Sequence, residues 1–212
     1  KTTMTKTRLG RPVGSSGEET RRRIIAATMR CVAEVGYSRA TIRQIARTAR
    51  VTSASLYNYF PTKSELIEAA VAERTEVALP RLRAASAGPG DVVDRIEALL
   101  EESGRLMREY PDLAAFEWAI RAEGAAAPGY RAPHDTGFHA LREIIETVVA
   151  DGHQRGELAG WVNPHGAVEA VYSLVYGLTE LAATLSPEDY HAALAAAKRM
   201  VGGTLLGDAP LI

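Results

Sequence analysis

The sequence carries one cysteine, and no stretch approaches the roughly 20 consecutive apolar residues that a membrane-crossing helix needs. The lone Cys31 can form neither an internal disulfide nor a cysteine-rich metal site, and its place on an apolar helical face reads as a core position. A Gly-rich phosphate loop and a Gly-x-Ser-x-Gly nucleophile motif are both missing, and His134, His139, His153, His165 and His191 do not fall at the i, i+4 spacing of a helical metal site. No catalytic constellation, cofactor or metal is therefore expected, and an enzyme is not the expected class. The N-terminus is polar and basic with no apolar run behind it, which does not read as a secretory signal; the expected compartment is the cytoplasm.

What is present is an ordinary globular composition, 46% hydrophobic and 24% charged, with charges distributed very unevenly. The chain as a whole has a net charge of −1. Lys1 to Lys63 holds 13 basic and 3 acidic residues, a net +10, and the remainder holds 12 basic and 23 acidic, a net −11. A basic head on an acidic body points to a polyanionic partner for the head alone, and nucleic acid is the leading choice.

Residues 1–17 are rich in Gly, Ser, Thr and basic side chains and read as a flexible arm. A first helix is expected from Glu18 and Glu19 to Gly36, with Ile24, Ile25, Thr28, Val32 and Val35 on one face. Thr41 is a natural N-cap for a short second helix carrying Ile42, Ile45 and Ala46, which ends near Ala49 and Arg50. Thr52 or Ser53 caps a third with Leu56 and Phe60 inward, Pro61 stops it, and Thr62 or Ser64 caps a fourth. That fourth helix should reach Leu79, where Pro80 ends or kinks it. Ala87 to Gly90 reads as a linker. Helical periodicity then recurs at about 91–109, 111–122, 135–155, 164–185 and 187–206, with a loop from Gly124 to Pro133. No segment sustains strand alternation, so the fold class is all-α with about nine helices.

Two short helices joined by a four-residue turn in a basic region have the dimensions of a helix-turn-helix, whose second helix enters the major groove. Ala46 is small where the helices cross, Val51 is apolar in the turn, and Leu56 anchors the second helix against Ile45. The outward face then offers Ser53, Ala54, Ser55, Tyr57, Asn58 and Tyr59, and an Asn is suited to adenine.

The run TIRQIARTARVTSASLYNYFPTKSEL, preceded by AEVGY, resembles the DNA-binding domain of tetracycline-repressor-like (TetR) regulators over about residues 20–66. The resemblance implies that Arg43, Ser53, Ala54 and Asn58 approach bases and that Thr41, Ser55, Tyr57, Tyr59 and Lys63 approach phosphates. Thr52, at the N-terminus of the recognition helix, joins them as a DNA-facing residue. Two positions depart from the family pattern. Arg50 stands where Gly is usual, so a left-handed backbone there costs about 1 kcal/mol or the turn takes another form. Ile42 replaces a second Thr, removing one phosphate donor. In the arm, Arg8, Gly10, Arg11 and Pro12 form a run that suits a narrow A·T-rich minor groove, or else only raises nonspecific affinity.

The same resemblance implies three parts: an arm at 1–17, a helix-turn-helix domain at 18–66, and a helical ligand-binding and dimerisation domain at 67–212. Met107, Phe116, Trp118, Phe138, Tyr172 and Tyr176, with Ile120 and Tyr130, either line an apolar effector pocket or are plain core. Glu117 and Glu180 lie on otherwise apolar stretches and could face a cationic or hydroxylated ligand. The last two helices are rich in Ala, Leu, Val and Gly, as expected for a four-helix homodimer interface. The function expected is a ligand-responsive regulator, a repressor released from a palindromic operator by a small molecule. An architectural DNA-binding protein without sequence choice is the alternative.

Overall fold

The computed structural model describes residues 13–126 and 136–203, and among them it is entirely helical. The elements in chain order are α1 (Val13–Val35), α2 (Ile42–Thr48), α3 (Ser53–Tyr59), α4 (Lys63–Ser86), α5 (Val92–Glu109), α6 (Pro111–Ala126), α7 (Thr136–Gln154), α8 (Pro164–Thr184) and α9 (Pro187–Val201).

Most helix starts follow from capping. Thr41, Thr52 and Thr62 each accept the backbone N–H three residues on, from Gln44, Ser55 and Glu65 at 3.2, 3.0 and 3.1 Å. Asp91 and Asp94 form a reciprocal capping box at the head of α5, and Asn163 and Ser186 cap α8 and α9, each followed by a proline in the first turn.

Four boundaries depart from the sequence reading. α1 reaches back to Val13, through glycines and serines expected to belong to the arm. Once a helix is nucleated, added residues need only propagate it, and Thr20 and Arg22 tie the extension to Ser16 and Glu18 at 2.9 and 3.5 Å. α4 neither ends nor breaks at Pro80 but continues to Ser86, with Pro80 on its exposed side. α6 runs through Gly124 to Ala126, where flanking alanines outweigh the helix cost of one glycine, about 1 kcal/mol. α9 stops at Val201, short of the expected 206, because Gly202 caps it and Gly203 takes the left-handed backbone at φ 74°.

The helices enclose two hydrophobic cores. One gathers Ile24, Val32, Ile45, Leu56, Leu66 and Ile67 from α1 to α4, with Cys31 buried among them and its sulfur 3.4 Å from the Thr48 hydroxyl. Phe116 and Ile120 of α6 complete it. The other joins Leu82 of α4 to Ile96, Leu99, Ile145, Val175 and Leu194 of α5, α7, α8 and α9. α4 therefore belongs to both: Leu66 to Val71 lie in the first core, and Val77, Ala78, Leu79 and Leu82 pack in the second.

Candidate functional site

The turn between α2 and α3 decides which side chains α3 can offer. Ala49 ends α2, Arg50 adopts the left-handed backbone at φ 57°, and Val51 returns the chain toward α3. The Arg50 N–H donates to Arg47 O at 3.1 Å and the Val51 N–H to Ala46 O at 2.9 Å, the paired bonds of a Schellman cap. Of the two outcomes open at Arg50, the protein takes the strained one and keeps the helix-turn-helix geometry. Ile45 and Leu56, both fully buried, pin the helices together as expected.

α3 is held by its inner face alone. Leu56 is buried, while Ala54, Tyr57 and Asn58 are exposed and Ser53 and Ser55 are half-buried along the rim. Tyr57 is 48% exposed, a large apolar ring left in solvent beside hydroxyls and an amide. Arg43 and Thr41 are exposed at the start of α2 and Thr52 at the start of α3. The hydroxyl oxygens of Thr41 and Thr52 already accept the capping N–H bonds, which leaves each its O–H for an outside acceptor such as a phosphate oxygen. Two residues have structural duties as well. Tyr59 is half-buried against the first core. The Lys63 ammonium donates to the carbonyl of Tyr37 and lies 4.4 Å from the centre of its ring, tying α4 to the loop after α1. Arg8 and Arg11 lie outside the described residues.

Between α4, α5, α6, α7 and α8 the second core opens into a cavity of about 720 Å³ including its mouth. Of the proposed pocket residues, Met107 lies in its wall. Phe116 lies elsewhere: with Ile120, one turn on, it faces the first core and is fully buried there, while Leu113, Ala114 and Glu117 on the adjoining face of α6 turn to the cavity. Trp118 is half-buried. Tyr172 and Tyr176 are half-buried against the second core, with ring centres 6.3 Å apart and the Arg121 guanidinium 4.2 Å from the centre of the Tyr176 ring. The Phe138 and Tyr130 side chains lie outside the described residues. Glu180 is half-buried near the end of α8.

Glu117 is 5% exposed and forms an ion pair with Arg74 of α4, itself 7% exposed, at the end of the cavity nearest the first core. Arg121 approaches the other carboxylate oxygen of Glu117 at 3.5 Å. Burial, together with the charge of Arg121, pushes Arg74 down to about 10. Arg74 was missed in the sequence although a signal was there: it falls in the apolar stripe Ile67, Ala70, Val71 and Ala78 of α4, where a lone charge demands a buried partner.

This arrangement coincides with a known one. Residues 24–70 match the family model described as bacterial regulatory proteins, tetR family. The transcriptional regulator UidR of Escherichia coli K12 is 26% identical over 194 residues, covering 90% of this chain and 95% of its own. The chain belongs to the TetR family. The match to UidR extends through the variable C-terminal helices as well as the conserved-length head, and GusR of Salmonella enterica superposes with a TM-score of 0.68 at 25% identity over 93% of this chain and 98% of its own. The regulator FadR of Bacillus subtilis, solved in complex with stearoyl-CoA, shares the fold with a TM-score of 0.73 at 16% identity, covering 88% and 98% of the two chains. As a TetR-family protein the chain is a helix-turn-helix transcriptional regulator and not an enzyme. No helix among the described residues is long and apolar enough to cross a membrane.

Proposed function

We propose that the protein is a homodimeric, ligand-responsive repressor that leaves a palindromic operator when a small molecule enters the cavity between α4 and α8. The observation that carries this reading is the course of α4, which begins in the core under α3 and ends in the wall of the cavity, so that one rigid element touches both sites. In this reading residues 18–66 hold the DNA and residues 67–212 sense the ligand and dimerise, with α4 as the transmission between them, in the cytoplasm.

Arg43, Ser53, Ala54 and Asn58 meet base edges, while Thr41, Thr52, Ser55, Tyr57, Tyr59 and Lys63 meet phosphates and set the register. Arg11 reaches into the adjoining minor groove. A copy of the chain packs its α8 and α9 against the same helices, setting two α3 helices about one turn of DNA apart. A ligand that prefers a different tilt of α4 changes that spacing and releases the operator.

The test is selection of bound sequences from a pool of random duplexes at fixed salt. Recovery of one palindrome, weakened about 10-fold or more by Asn58→Ala through loss of a bidentate base contact, supports the reading. Retention of DNA without sequence enrichment overturns it in favour of an architectural protein.

A further inference from the structure

The Arg74–Glu117 pair sits at the seam of the two cores. On α4, Arg74 follows Val71, buried in the first core, by one turn, and precedes Ala78, packed in the second, by another. On α6, Glu117 adjoins Phe116 of the first core while its own carboxylate faces the cavity. The pair thus clamps the DNA-side half of α4 to the helix that packs along α1.

Its charges do not balance. Two guanidinium groups, Arg74 and Arg121, share one carboxylate, and Glu117 Oε2 has no hydrogen-bond partner among the described residues apart from its contact with Arg74. A buried ion with too little compensation costs free energy that an added counter-ion recovers. The hydroxyls in the wall cannot serve an incoming anion, since Thr75, Ser103 and Thr179 donate to carbonyls of their own helices at 2.9, 2.9 and 3.0 Å. Arg74 is the buried cation that remains, and the rest of the wall, including Leu79, Leu106, Met107 and Leu178, is apolar. The depressed basicity of Arg74 agrees with an under-compensated site.

We propose that the cavity binds a small amphipathic carboxylate, its apolar body against Leu79, Leu106, Met107 and Leu178 and its acid group on Arg74 in place of Glu117. This rests on the regulator reading above and gives its effector a chemical class. The displaced Glu117 keeps Arg121, four residues on in its own helix, so a link between α4 and α6 is exchanged for one within α6. α4 then loses its polar tie to the α1-packed helix.

Calorimetric titration of the full chain, without DNA, with decanoate, 1-decanol and decylammonium separates headgroup from tail. Decanoate is expected to bind at least about 10-fold more tightly than decanol, as a charge-assisted pair gives, and decylammonium least. Arg74→Met should erase the preference for the acid over the alcohol. Glu117→Gln should tighten decanoate several-fold by removing its competitor, the opposite of what a merely structural role gives. Met107→Trp, which fills the cavity, should abolish binding of both. Decylammonium binding as well as decanoate, Glu117→Gln weakening decanoate, or no heat from any probe would each overturn the proposal. If Arg74→Met does not fold, the headgroup series and Glu117→Gln decide alone. Operator selection is run without ligand, so failure of the carboxylate preference and failure of the regulator reading are read from separate experiments.

Discussion

The backbone N–H of Val51 donates to the carbonyl of Ala46 at 2.9 Å, closing the turn over an arginine held at φ 57°. An L side chain in this conformation costs about 1–2 kcal/mol, part of which glycine returns as unfolded-state entropy. Arg50→Gly should therefore raise stability by about 0.5–1 kcal/mol, read from denaturant melts, whereas Arg50→Ala should bring no gain. A gain from alanine equal to that from glycine would mean that the backbone conformation is not the source of the strain.

Thr52 caps α3 through the Ser55 N–H at 3.0 Å. Thr52→Ala should cost about 1 kcal/mol in thermal or chemical unfolding, and Thr52→Ser should restore most of it. In a DNA-binding assay the alanine variant should lose affinity beyond what its stability loss explains, because the same hydroxyl has its proton free for a phosphate oxygen.

Phe116 and Met107 make a contrasting pair. Phe116→Ala should cost about 3–5 kcal/mol and weaken DNA binding without ligand, since the ring completes the core under the helix-turn-helix. Met107→Ala, in a half-buried cavity wall, should cost less than about 2 kcal/mol and leave DNA binding intact. Differential scanning calorimetry with a fixed duplex measures both.

Burial raises the Tyr190 phenol to about 12, with smaller opposing effects from Arg108 and Glu101. An acid group whose folded value lies above its unfolded value of about 10 stabilises the fold fully below pH 10, and that contribution is lost as the pH rises toward 12. Wild type should thus lose stability relative to Tyr190→Phe over this window, by an amount on the order of 2 kcal/mol. Comparing the two proteins cancels the titration of Arg74, which falls in the same range. Parallel pH curves would show that the phenol is not desolvated.

The order of elements was legible because local chemistry announces it: threonines at 41, 52 and 62 cap the helices they precede, and Ile45 and Leu56 fall on the faces that must meet. Boundaries slipped where propagation beats composition, at the glycine-serine start of α1 and at Gly124. The turn was harder. The family position normally given to glycine holds an arginine, and packing of Ile45 and Leu56 on either side is what keeps Arg50 in an unfavourable conformation. In the cavity, periodicity singled out Glu117 as an anomaly on an apolar stretch but could not say which way the aromatic residues of α6 turn. That depends on α6 lying across the seam, a long-range contact between residues some ninety positions apart, such as Ile25 and Phe116.

Because Phe116 and Ile120 finish the core beneath the DNA-reading helices, the head of this protein is not a portable module. A chimera joined near residue 66, grafting this head onto another regulator's body, would open a void where those two side chains stood and expose Ala70 and Val71 to water. A transplant that keeps its fold has to carry the α6 segment along, or find an aromatic of matching size on the recipient.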